Sequence, residues 1–458
     1  MKSVVVGAGQ GFYGDTPRGA LDVARNSEVD YICFDALAEL TMAILAKERL
    51  RDPQAGYTRD LPHFMRQLLP ICREKGIRLI SNAGGLNPEG AALAVAAVAR
   101  ELGMGDLRIG VVWGDDIQPR LDDLIAGGTA LANMDTGASF DEIRDEIFLA
   151  VAYLGLTPLR RALEAGADVV ITGRVADASL FAAPLAHEFN WGESDWDRLA
   201  TGVTVGHLLE CSAQASGGNF SGDWGSIPDM AHIGYPVCEV FEDGTAVLSK
   251  PSGSGGRVSF ETVRQQLLYE VSDPARYLNP DVVADFTSLE ITEIEADRVR
   301  LSGIRGAARP EQLKVVLGYR AGWSGSALLT YSWPQALLKA QKATEIIQQL
   351  LGDAGVTPKE TCVEYLGANA LHGAAAPIPN PEDLNEVTLR YTGRFDSEAA
   401  AATLARVATP LALNGPPFIG GGFAPAPPRA LVGTWPALVD RHLVEDGVQT
   451  KVFRAGTK

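Results

Sequence analysis

Three observations predict an α/β fold with a mostly parallel sheet and helices on both faces. Short β-rich runs alternate with helical stretches through the first half of the chain. Each of those runs ends in a turn rich in glycine and polar residues. The intervening helices are long enough for right-handed crossovers, which place every strand's C-terminal end on one edge of the sheet.

The elements follow in order. SVVVGA (3–8) predicts a first strand from its β-branched residues, and TPRGALDVARN then reads as a helix. DYICF (30–34) is a second strand, followed by the helical stretches ALAELTMAILAKERL and LPHFMRQLLPICREKG. IRLIS (77–81), LRIGVVW (107–113) and ADVVIT (167–172) are three further strands, and NPEGAALAVAAVARELG separates the first two of them as a helix. FDEIRDEIFLAVAYLG and TPLRRALEAG also read as helical. Thr16-Pro17 and Asn87-Pro88 have the form of a capping side chain followed by a first-turn proline.

Beyond about residue 213 the texture changes. Segment 214–256 is rich in Gly and Ser around two strands, YPVCEVF and TAVLS, and such loops in a compact domain are more often functional than idle. From residue 312 the succession is KVVLGY, SALLTYS, a long helix, TCVEYLG, EVTLRYTG and a second helix. It predicts a smaller ferredoxin-like α+β C-terminal domain over 312–458, beside an α/β domain over 1–311. NGPPFIGGGFAPAPP (414–428) reads as a surface loop.

Composition narrows the function. An apolar fraction of 46% with 21% charged residues is that of a soluble globular chain, and no run reaches the length of a membrane span. The net charge of −17 argues against nucleic-acid or anionic-membrane partners. Five scattered cysteines without C-x-x-C spacing indicate neither a disulfide framework nor a zinc cluster. No secretory leader precedes the first strand, so a reducing cytoplasm is the expected home. No cofactor or metal motif is expected, and a homo-oligomer is.

The candidate chemistry collects at the strand ends. Successive turns deliver Asp15; Asp35 and Glu39; Asn82, Gly84, Gly85 and Asn87; Asp115 and Asp116; and Thr172, Arg174 and Asp177. Ligands of open α/β sheets bind outside these carboxyl ends, so one shared cleft is expected. Part of the set can be explained as helix caps. Arg174 cannot, because a cation just before a helix start opposes the dipole. It is better read as a clamp for a carboxylate or phosphate, against an internal ion pair with a neighbouring aspartate.

The opening loop, VGAGQGFYGD, satisfies G-x-G-x-x-G through Gly9, Gly11 and Gly14, and Asp35 stands where a ribose-binding acid would. Asp15, however, puts a second anion where a dinucleotide's pyrophosphate would sit. The expectation is therefore that NAD or FAD is not retained, that Gly9 and Gly11 let backbone approach a ligand, and that Asp15 serves chemistry or a hydrogen bond. Further along, GVTVGHLLECSAQASGGNF places His207, Glu210 and Cys211 on one helical face. A histidine beside a carboxylate suits acid–base work, against the alternative of a satisfied core histidine. Gly217 and Gly218, in the loop that follows, join the expected substrate-binding residues.

Beyond these local readings, VGAGQGFYGD, DYICFDALAELT, RLISNAGGLNP, DVVITGRVADASL and GHLLECSAQASGG resemble the AtuA family of acyclic terpene utilisation proteins. The resemblance spans nearly the whole chain. It implies a bacterial catabolic protein, from a family whose members break down acids of the citronellol or geraniol type through CoA thioesters and whose relatives serve other carboxylic-acid pathways.

The sequence therefore predicts an enzyme acting on a carboxylic acid or acyl-CoA thioester, as a hydratase or hydro-lyase. Asp15, Asp35, His207 and Glu210 are the catalytic candidates. Gly9, Gly11, Asn82, Gly84, Gly85, Asn87, Arg174, Asp177, Gly217 and Gly218 are those for binding. A thioester hydrolase and a noncatalytic subunit of a catabolic complex are the alternatives.

Overall fold

The computed structural model describes residues 2–378, 380–421 and 426–457. Two compact units emerge. The first comprises 1–144, 148–317 and 434–458, and the second 145–147 and 318–433.

The first unit is built on a ten-stranded sheet. Its centre is Ser3–Gln10, Tyr31–Phe34, Arg78–Ser81, Val169–Thr172 and Arg108–Trp113, in that spatial order and all parallel. These are the five strands predicted from the β-rich runs. The sheet as a whole is nevertheless mixed and not mostly parallel, because antiparallel strands extend it on both sides. Val237–Phe241, Ala246–Ser249, Arg298–Ser302 and Glu290–Glu295 continue from Ser3–Gln10. Gln449–Arg454 pairs with Arg108–Trp113 at the other edge. Pairing of this kind depends on residues far apart in sequence, which no local pattern reports. The same pairing brings the last strand of the chain back to the first unit, so the segment 312–458 is divided between the two units.

Helix ends follow the expected physics. Thr16 caps Pro17–Asn26 by accepting from the Arg18 N–H, and Asn87 caps Pro88–Glu101 by accepting from Gly90. Gly76, in the left-handed region, closes Leu61–Lys75. Buried alanines in Pro88–Glu101 and Asp177–Glu188 let these helices lie close to their neighbours. One helical prediction fails. Within FDEIRDEIFLAVAYLG only two short 3-10 turns form, and Ile147–Ala152 is a strand. Its run of six apolar residues is too short for periodicity to separate a buried strand from a helix.

KVVLGY and SALLTYS belong to one long strand, Gln312–Ser332, whose residues from 318 onward are in the second unit. It pairs antiparallel with Glu386–Phe395, which pairs in turn with Glu360–Leu366. Helices Ala336–Asp353 and Glu398–Ala408 cover a core that includes Leu329, Tyr331, Leu389, Tyr391 and Leu404. The expected loop 414–428 contains the short strand Ile419–Gly421, and residues 422–425 lie outside the described residues.

Candidate functional site

The centre of the site is Arg174, just beyond the end of strand Val169–Thr172 and almost completely buried. Its backbone N–H donates to Asp115 Oδ2 at 2.6 Å, and its Nη1 donates to the Leu37 carbonyl at 2.7 Å. The same Nη1 forms a 2.8 Å ion pair with Asp177 Oδ1, although the angle is not that of a directed hydrogen bond. The guanidinium lies over the Tyr153 ring, 4.1 Å from its centroid, and Lys314 lies 4.9 Å from the same centroid. Two cations on one ring make Tyr153 a platform that fixes both.

Around this cation stand more carboxyl groups than it can neutralise. Asp35 accepts from Asn82 Nδ2 at 2.6 Å and from the Leu37 N–H at 3.3 Å, both on Oδ1. Asn82 is itself oriented by the Ala36 N–H. Burial holds the Asp35 carboxyl well above the usual range; the Asp177 charge adds to this, and Arg174 opposes it. Asp177 is also raised, by burial first and despite Arg174, although a third of its side chain remains accessible. Accessibility on a carboxylate so closely surrounded places it where solvent reaches the cluster. Asp115 is pushed up to about 7 by burial. Glu39 behaves oppositely. Burial acts to raise it, yet the Tyr153 hydroxyl at 2.6 Å and Lys314 at 3.1 Å outweigh this and lower it to about 2.

His207 and Glu210 come from the end of helix Trp196–Leu209. Their side chains meet at 3.0 Å through Nδ1 and Oε1. Burial lowers His207 to about 4, so the imidazole is neutral near pH 7. Tyr277 and Phe286 flank the ring, with centroids at 5.1 and 5.5 Å. Burial raises Glu210 well above its ordinary value, and the charges of Asp177 and Glu270 add to the effect. Asp177 and Arg174 both act electrostatically on Glu210, which joins the histidine pair to the Arg174 cluster.

Several buried atoms of this cluster have no hydrogen-bond partner among the described residues: Arg174 Nε, Thr172 Oγ1, Glu210 Oε2 and His207 Nε2. Gln266 and Leu267 carbonyls lie near the imidazole without a directed bond to Nε2. Such atoms are rare in folded interiors, and here they gather in one place. The set offers donors, acceptors and a proton to a polar ligand. Among the described residues, no three His, Cys, Asp or Glu side chains are arranged to hold a metal ion.

The other candidates lie elsewhere. Asp15 accepts from the Gly11 N–H at 3.0 Å, the Thr16 N–H at 2.7 Å, Ser212 Oγ and the Tyr235 hydroxyl. It is a tether that pins residue 212, two positions beyond Glu210. The loop glycines make room for protein. A Cβ at Gly9 would collide with the Phe34 ring, and one at Gly11 with Ser212. These close contacts account for both glycines by protein packing. Asn87 caps its helix and donates to the Gln54 and Ala55 carbonyls. Gly84 and Gly218 pack on the carbonyls of Thr172 and Ala213, and Gly85 and Gly217 form left-handed turns. Tyr153 and Lys314 carried no motif in the sequence. Tyr153 lay in a stretch read as helical, and Lys314 joins the site only through the fold.

The fold and site define a mixed α/β protein with a buried acid–base cluster at the C-terminal ends of its parallel strands. A family model for the acyclic terpene utilisation family protein AtuA matches residues 4–450, and the chain belongs to that family. Membership points to a role in acyclic terpene utilisation, in keeping with the resemblance carried by the motifs. No curated protein and no solved structure matches the chain. Among the described residues, no helix is long and apolar enough to cross a membrane.

Proposed function

We propose that this protein is a catabolic hydro-lyase that adds or removes water beside the carbonyl of a carboxylic acid or its CoA thioester. One observation carries the reading: a neutral histidine and three carboxyls held toward their protonated forms gather around one buried arginine. Dehydration needs a base to take the proton from carbon and an acid to protonate the departing hydroxyl, with no change of oxidation state. In this reading neutral His207, backed by Glu210, takes the carbon proton. Asp35 or Asp177 protonates the leaving oxygen. Arg174 holds the substrate's carboxylate or carbonyl oxygen and stabilises the enolate-like charge. The family description turns the substrate toward an acid derived from an acyclic terpene.

A hydrolase is less well supported, because burial raises the Cys211 thiol and so disfavours the thiolate nucleophile nearest the pair. We read the second unit as a ferredoxin-like α+β fold, supported by its strand–helix succession, and propose for it a role in homo-oligomer assembly.

The test is incubation of purified protein with a panel of enoyl and hydroxyacyl thioesters and free acids, followed by mass spectrometry. Gain or loss of water, abolished in Glu210→Gln, is the expected result. Release of free CoA would favour the hydrolase, and tight binding without conversion a noncatalytic subunit.

A further inference from the structure

Asp35 and Asp177 both qualify as the acid that protonates a leaving oxygen, and burial pushes the carboxyl of each upward. Geometry separates them. Asp177 Oδ1 stands 2.8 Å from Arg174 Nη1, so this carboxyl is the counter-ion of the arginine and its charged form is the one the pair stabilises. Among the described residues Asp35 forms no ion pair. The charged and titratable groups acting on it are Arg174, Asp177 and Glu210, with Cys211 beside the last of these.

The hydrogen bonds of Asp35 are one-sided. Asn82 Nδ2 donates to Oδ1 at 2.6 Å, and the Leu37 N–H donates to the same oxygen at 3.3 Å. Each of these groups can only donate. The amide of Asn82 is fixed in turn, because its Oδ1 accepts from the Ala36 N–H at 2.7 Å and leaves the NH2 end for Asp35. Asn82 is fully buried, and it leaves strand Arg78–Ser81 beside the strand that carries Asp35. Oδ1 is thus committed as an acceptor. A proton on this carboxyl has only Oδ2 to occupy.

We propose that Asn82 is a positioning residue that keeps the Asp35 proton on Oδ2, and that Asp35 is the acid of the site while Asp177 serves as the standing counter-ion of Arg174. The step itself rests on the hydro-lyase reading. In dehydration the Oδ2 proton passes to the substrate hydroxyl, whose bond to carbon breaks with its electron pair to release water. The carbon proton goes to His207, and the electrons of that C–H bond form the double bond. Uptake of one proton by Asp35 from solvent and loss of one from His207 close the cycle. Throughout, the Asn82 N–H stays on Oδ1 and stabilises the carboxylate left behind.

Infrared difference spectra of the full-length protein at mildly acidic pH locate the proton whatever the reaction. A protonated-carboxyl C=O band should be lost in Asp35→Asn and kept in Asp177→Asn. Asn82→Ala should move that band to higher frequency, since a hydrogen bond to a carbonyl softens its stretch. Asn82→Asp keeps an acceptor for the Ala36 N–H, and with it the fold; it should displace the band too, because two adjacent carboxyls then share a proton. With a substrate found in the panel, the high-pH arm of kcat should move up by about one unit in Asn82→Ala, because the lost donor favoured the charged form. A purely structural loss would lower kcat and leave that arm in place, which would overturn the positioning role. A band that survives Asp35→Asn, or disappears in Asp177→Asn, overturns the choice of acid, and one indifferent to both Asn82 variants overturns the role of Asn82. If the infrared pattern holds and no thioester or acid gains or loses water, the hydro-lyase reading alone falls.

Discussion

Asp15 and Asp35 follow neighbouring parallel strands of one sheet, and both look in sequence like acids at the mouth of a cleft. Asp15 accepts four hydrogen bonds, shared between its two oxygens, and has no part in the charged cluster around Arg174. Asp35 is buried among Arg174, Asp177 and Glu210, takes its bonds on one oxygen, and is held toward its protonated form. The two differ in how fully their surroundings satisfy them. A satisfied carboxylate fixes a loop. An incompletely satisfied one, crowded by like charges, has a proton to exchange.

The largest effect that would sharpen this contrast is on stability. Arg174→Met leaves several buried carboxyls without their counter-charge, and the free energy of unfolding should fall by about 3–5 kcal/mol. Urea denaturation of the two proteins measures it. A loss under about 1 kcal/mol would mean that the cluster does not depend on its arginine.

Asp115 supplies a pH test. Its carboxyl titrates at about 7 in the fold, against 3.8 when unperturbed. The folded state therefore keeps a proton that the unfolded state loses, and stability declines as pH rises from about 4 to about 7, by up to ~4 kcal/mol. Asp115→Asn removes that decline, so the variant should gain on the wild type as pH rises through this window. Parallel pH profiles for the two would contradict the assignment.

Turnover separates the acids directly. Glu210→Gln should cost roughly a hundredfold or more, the scale of a lost acid–base partner. Asp15→Asn should cost about 1–3 kcal/mol of stability and leave kcat within a few-fold of wild type. If Asp15→Asn instead abolished turnover in a stable protein, the tether would have to be reassigned to the chemistry. Smallest of all, Asn87→Ala should remove about 1 kcal/mol of helix capping without touching kcat/KM. A large fall in kcat/KM there would put Asn87 back at the substrate.

Much of this was legible in the chain. The five central strands announced themselves by β-branched runs, and the caps at Thr16 and Asn87 by the prolines that follow them. The His207–Glu210 pair followed from helical spacing, which brings side chains three apart onto one face. The runs YPVCEVF and TAVLS were legible as strands, but not their antiparallel place in the sheet. The strands Glu290–Glu295, Arg298–Ser302 and Gln449–Arg454, the division of the C-terminal segment and the strand Ile147–Ala152 were not legible, because each depends on a distant partner or on burial.

The sequence by itself determined which acids, amides and cations stand at the strand ends, since strand and crossover patterns are local. Only the tertiary structure decided which of them would be satisfied. Asp15 meets Ser212 and Tyr235, each about two hundred residues away along the chain, and becomes a tether. Arg174 meets Asp35 and Glu39 from one distant segment and Tyr153 from another. Satisfaction of a polar group depends on what the whole fold places within about 3 Å of it, and no window of sequence contains that information.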